Sequence, residues 1–274
     1  MWERIQQTFR GNLLAWFGFF FVGLLIFVAV FAPQLATYDI HEIDLSGRDQ
    51  PPSRNHWMGT DDLGRDVYSR VLYGARVSLT VGVLSQGVSL GVGISLGMMA
   101  GFFRGWTDHL VMWLVNVVWA FPYLLLVLAI QIALPNEPWT IFFAIGLAGW
   151  VPVARIVRGE VLSLREREFI EAARSLGFSP FRVMFRHILP NIAPTLIVVA
   201  TLGLATAIIA EAALSFLGLG IQPPDPSWGN MILSGYTKIR YAWWQAFFPS
   251  IAIMLSVLSF NLLGDAFSTR RIEV

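Results

Sequence analysis

Cysteine is absent from this 274-residue chain, which excludes disulfide bridges, thiolate metal sites and cysteine nucleophiles. Lysine occurs once, as Lys238, in Tyr236-Thr237-Lys238-Ile239. A phosphate-cradling loop needs its lysine in a Gly-Lys-Ser/Thr run, so the chain has no nucleotide site of that kind. Histidine is limited to His41, His56, His109 and His187. Charged residues make up only 14% of the chain, against about 25% in ordinary soluble domains. The net charge of +1 singles out no charged partner. The basic residues are dispersed, without the aromatic interleaving of a nucleic-acid surface.

What fills the chain is apolar: 55% of residues are hydrophobic. A spanning helix needs about 20 mainly apolar residues to cross a hydrocarbon core of about 30 Å. Six runs meet or approach that length: Leu13–Ala32, Val77–Phe103, Leu110–Leu134, Trp139–Val157, Ile192–Leu219 and Phe247–Phe267. The fold class expected is an all-α integral membrane protein with six transmembrane helices. Arg4 and Arg10 precede the first run, but that run is longer than a signal core and no small-x-small cleavage site follows it. It is read as a retained span. Most of the 19 Lys and Arg residues fall on the side of the N-terminus, which puts both termini in the cytoplasm.

Two outer loops are substantial. In the first, Val67, Val71, Leu72 and Ala75 recur at helical spacing over Asp66–Arg76, predicting an amphipathic helix lying at the interface. The second, Gln222–Trp244, carries Trp228, Tyr241, Trp243 and Trp244, residues that favour the headgroup level. The organisation expected is an N-terminus and first span (1–35), an outer loop (36–76), a five-helix core (77–268) with a cytoplasmic loop at 158–191, and a tail (269–274).

That cytoplasmic loop is the most informative stretch. Phe169, Ala172, Ala173 and Leu176 recur at helical spacing among Glu166, Glu168, Glu171 and Arg174, a short two-sided helix. Gly177 suits a left-handed stop. Ser179-Pro180 suits the cap and first turn of a second helix. That helix places Phe181, Met184, Phe185 and Ile188 on one face and ends before Pro190. A charged elbow in so oily a chain points to a partner that grips it.

At these residues the chain resembles a known family. Glu171-Ala172-Ala173, Gly177 and Leu189-Pro190 resemble the EAA loop of ABC-importer permeases, with His187 at a position where the family often has an aliphatic residue. Gly59-Thr60-Asp61-Asp62-Leu63-Gly64-Arg65-Asp66 and Glu211-Ala212-Ala213-Leu214-Ser215-Phe216-Leu217-Gly218 are similar to the peptide/nickel group, in particular the second, C-type permease of dipeptide and oligopeptide importers. The resemblance implies a type I importer fold in a prokaryotic cell membrane. It implies a homologous permease as partner, two ATP-binding cassette ATPases on the elbows, and a soluble receptor delivering peptides from outside. ATP and magnesium would sit in the ATPases. This chain would carry no cofactor, metal or catalytic residue. Glu171, Ala172, Ala173, Leu176, Gly177, Phe181 and Phe185 would form the ATPase contact. Nickel or another small solute is the alternative cargo.

Other residues have two readings each. Glu211, with Ser215, lies inside an apolar run; an ionisable group there lines a pathway or bonds neighbouring helices. Asp61, Asp62, Arg65, Asp66 and Trp228 are candidates for a receptor-facing surface or for a turn, and the acids lack the spacing of a calcium loop. Gly87-Val88-Ser89-Leu90-Gly91 and Gly93-Ile94-Ser95-Leu96-Gly97 match G-x-S-x-G, but inside a span and without a histidine at that depth. Gly87, Gly91, Gly93, Gly97 and Gly101 instead suggest ridges for close helix approach. Pro122, near Asn116, Trp119 and Phe121, is placed to kink the third run. A self-sufficient transporter or channel would show inverted repeats and broken helices; neither is visible in the sequence.

Overall fold

The computed structural model describes residues 13–135, 137 and 139–268. The expected N-terminal arginines Arg4 and Arg10 and the tail 269–274 lie outside them. Among the described residues the regular structure is all helical, apart from one isolated bridge between Thr60 and Asp66; the segment 36–66 is irregular but for a short 3-10 turn at Leu45–Gly47. The helices are α1 (Leu13–Leu35), α2 (Val67–Phe103), α3 (Gly105–Trp119), α4 (Tyr123–Ala133), α5 (Thr140–Arg165), α6 (Glu168–Ser175), α7 (Pro180–Val183), α8 (Leu189–Phe216), α9 (Trp228–Tyr236) and α10 (Trp244–Ser268).

Five helical stretches are long and apolar enough to cross a membrane, and a sixth if the α3–α4 pair is one span. The third expected span is therefore not a straight helix. It breaks after Trp119 and resumes at Tyr123, bent by 94°. Pro122 cannot donate to the carbonyl four residues back, and the residue before a proline is pushed out of helical geometry. At 1.5 Å per residue, neither piece reaches the roughly 30 Å of a hydrocarbon core alone.

A second correction concerns α2. The amphipathic stretch from Asp66 is not a separate surface helix but the first turns of one 37-residue helix. The expected boundary between 76 and 77 falls inside it. Asp66 caps this helix: its Oδ2 accepts from the Ser69 backbone N–H at 2.8 Å.

The tightest helix pairing is α2 on α5. A Cβ on Gly93 would lie 2.5 Å from Val153, on Gly97 2.6 Å from the Ala154 carbonyl oxygen, and on Gly101 2.8 Å from Val161. These three glycines, four apart, are what let the two backbones approach. Gly87 and Gly91 do not share that task, since a Cβ on either would meet nothing within 4 Å. The α1 helix stands at the edge, its Phe19, Phe20, Ile26 and Val30 exposed as a lipid-facing helix requires.

Candidate functional site

One end of the bundle carries the elbow. Here α6 is amphipathic: Ile170 and Ala173 are buried while Glu171 and Ala172 face outward. Gly177 closes α6 with φ +77°, and its N–H reaches the Arg174 carbonyl at 2.9 Å. Ser179 then caps α7, its Oγ accepting from the Arg182 N–H at 3.4 Å. The second elbow helix does not end before Pro190. It passes through a wide π turn, Met184–Ile188, directly into α8. Pro190 has no N–H for the Arg186 carbonyl, and the wide turn falls on the residues leading to it. Such turns often mark functional positions.

The four apolar residues expected on one face of this helix divide between two. Met184 and Ile188 are buried with Val183, Ile170, Phe102 and Val157 in a shared core. Phe181 and Phe185 point away from it, 68% and 56% exposed, and Leu176 at 73% and Phe169 at 43% are exposed on the same elbow. The elbow is tied to the ends of α2 and α5. Arg104 pairs with Glu166 at 2.6 Å, Arg165 donates to the Phe102 carbonyl at 2.6 Å, and Arg174 lies over the Phe102 ring. Several large apolar side chains exposed on one short elbow among charged residues point to a docking site.

At the opposite end the loops before α2 and after α8 interlock. Lys238 donates to Asp49 at 2.9 Å, and Gln245 donates to Asp49 at 2.7 Å and to the Thr60 carbonyl at 2.9 Å. Arg65 pairs with Asp61 at 2.7 Å, and His56 lies 2.9 Å from Asp66. The Trp228 indole donates to the Val71 carbonyl at 3.0 Å across α2. This corrects one expectation. Trp228 and Trp244 are buried anchors rather than headgroup residues, while Tyr241 and Trp243 remain exposed. Asp61, Arg65, Asp66 and Trp228 are enclosed and build the platform; of the candidate receptor-facing residues, Asp62 alone keeps a substantially exposed side chain.

For Glu211 the geometry matches the second of its two readings, a bond between neighbouring helices. It is fully enclosed between helices, accepting from Ser78 Oγ at 3.0 Å and from Ser215 Oγ at 2.7 Å. Neither Glu211 nor Ser215 borders the large cavity of the bundle. That cavity, about 820 Å³, lies at mid-length between α2, the α3–α4 break, α5 and α8. Ser85, Gln86 and Ser89 form its polar wall and Tyr123 stands at the break. The sequence reading missed these residues. The available signal was three polar residues within five positions of an otherwise apolar run.

Comparison with known proteins agrees with this architecture. Residues 93–272 match the family model described as binding-protein-dependent transport system inner membrane component. Residues 1–52 match the N-terminal TM domain of oligopeptide transport permease C. The chain is 41% identical over 265 residues to the oligopeptide transport system permease protein OppC of Bacillus subtilis, covering 97% of this chain and 87% of that one. It is 42% identical to the dipeptide transport system permease protein DppC of Alkalihalophilus pseudofirmus, covering 96% and 87%. It is also 42% identical to the glutathione transport system permease protein GsiD of Escherichia coli O6:K15:H31, covering 96% and 88%. Among solved structures, a chain of the inward-facing MetNI methionine ABC transporter superposes with TM-score 0.57 at 20% identity, over 74% of this chain and 96% of that one. The exposed elbow, the helical bundle and these matches lead to one conclusion: the chain belongs to the binding-protein-dependent transport system inner membrane component family, as an ABC-importer permease of type I fold.

Proposed function

We propose that the chain is one of two homologous permeases of an ATP-driven peptide importer in the inner membrane of a prokaryote. Two ATPases, which bind ATP and magnesium, grip the two elbows, and a soluble receptor delivers cargo to the outer platform. The observation that carries this reading is the exposure of Leu176, Phe181 and Phe185 on one elbow. Glu171, Ala172, Ala173 and Gly177 shape the same contact. Closure of the ATPases displaces the elbows, and the unbroken path from α7 through the π turn into α8 carries that displacement into the bundle. The elbow and both termini face the cytoplasm. Asp62 and the exposed Trp57 and Tyr241 face the receptor. The relatives' names support peptides as cargo.

The α3–α4 break and a mid-length cavity with polar groups on one wall are features that secondary transporters share. One experiment separates the readings: uptake of labelled tri-alanine into proteoliposomes holding the purified complex. Uptake that requires ATP, the ATPases and the receptor supports the importer; equal uptake by this chain alone, driven by an ion gradient, overturns it.

A further inference from the structure

The 820 Å³ cavity has the chemistry of a binding chamber rather than a packing fault. Among the described residues that line it, none is Asp, Glu, Lys, Arg or His. Its polar groups are neutral and can both donate and accept: Ser85, Gln86 and Ser89 on one turn of α2, Tyr123 at the helix break, and Thr206 on α8. Ser85 is 1% exposed, and its Oγ has no hydrogen-bond partner, whereas buried polar groups are normally paired.

Two glycines keep this wall clear. A Cβ on Gly149 of α5 would lie 2.8 Å from Ser89 Oγ and 4.0 Å from the Tyr123 hydroxyl. These two hydroxyls therefore converge on the space that Gly149 leaves. A Cβ on Gly203 of α8 would lie 2.2 Å from Gln86 Oε1. Pro152, also in the wall, has no N–H for the Ala148 carbonyl beside it. The volume falls within the roughly 300–1,000 Å³ of small-molecule sites.

We propose that this cavity is a cargo subsite for the uncharged amide backbone of a short peptide, resting on the peptide-importer reading above. A peptide unit offers one N–H and one C=O, which Ser85, Gln86, Ser89 and Tyr123 match on one wall. Trp119, Phe121 and Leu126 offer apolar surface for small side chains. Charged side chains stay outside, because none of the lining residues offers a countercharge to offset their desolvation.

The chain has no cysteine, so Ser89→Cys gives it a single thiol of nearly the same size. In the complete importer under ATP turnover, modification of that thiol by methyl methanethiosulfonate is followed by mass spectrometry of this chain. Saturating tri-alanine with receptor slows modification several-fold at Ser89→Cys and leaves the exposed outer-loop variant Thr237→Cys unaffected. Ser85→Ala adds a functional readout: tri-alanine uptake falls about two- to tenfold, the worth of one hydrogen bond, with no loss of melting temperature. Ser89→Cys modified equally fast with and without tri-alanine, in a complex that imports tri-alanine, overturns the subsite while the importer reading stands. A wild-type complex that imports no peptide overturns both.

Discussion

Ser78 on α2 donates its hydroxyl to the Glu211 carboxyl on α8, 3.0 Å away and 133 positions later in the chain. With Ser215 on the other oxygen at 2.7 Å, the acid is a bolt between helices. Removing it leaves two buried hydroxyls without their acceptor. Glu211→Ala is expected to destabilise the protein by about 1–3 kcal/mol, seen as a lower melting temperature in detergent. Glu211→Gln, which keeps the shape and one acceptor oxygen while its amide N–H donates to the other serine hydroxyl, imports close to wild type. A Gln variant that is stable but inactive would return Glu211 to the transport pathway.

The α2–α5 contact makes a second prediction. Gly97→Val places a Cβ 2.6 Å from the Ala154 carbonyl oxygen, and overpacking of this kind costs about 1–3 kcal/mol. Gly91→Val, where a Cβ would meet nothing within 4 Å, is expected to be nearly silent in the same thermal assay. Equal losses at both positions would refute the glycine ridge.

Gly177 supplies a third. Its φ of +77° is closed to proline, which fixes φ near −65° and removes the N–H bonded to Arg174. Gly177→Pro should leave the chain inserted in the membrane yet uncouple receptor-stimulated ATP hydrolysis. Wild-type stimulation would contradict the elbow's role.

The interlocked loops around Asp49 should respond to acid. Burial raises the Asp49 carboxyl, but hydrogen bonds from Lys238 and Gln245 outweigh it and hold the group below its ordinary value of 3.8. A depressed native value means that the contribution is present above the unfolded pKa and is lost as pH falls through the native one. The loop around Asp49 is expected to hold at neutral pH and to loosen below about pH 4, read as faster amide exchange near Thr60. Asp49→Asn flattens that dependence, and an unchanged profile in that variant would rule out the pair as the cause.

Much of this architecture was legible beforehand, for physical reasons particular to a membrane chain. Length and apolarity locate helices such as α1 and α10 because a bilayer demands both. The elbow could be read because Gly177, Ser179 and Pro180 are local signals whose geometry follows from single residues. Three features were hidden because they depend on tertiary context. Asp66 caps α2, but nothing in the pattern says that the helix then runs unbroken into the span. Trp228 has the composition of a headgroup residue, yet its indole finds the Val71 carbonyl. Ser85, Gln86 and Ser89 acquire meaning only when Gly149 and Gly203, on other helices, leave space beside them.

The central claim is that the apolar elbow is the ATPase grip. Its most direct test is affinity capture of a tagged Phe181→Glu/Phe185→Glu double variant in mild detergent, with partners quantified by mass spectrometry against wild type. These side chains stand clear of the buried core, so the variant folds and retains the second permease, while ATPase recovery falls sharply. Undiminished ATPase recovery would contradict the account.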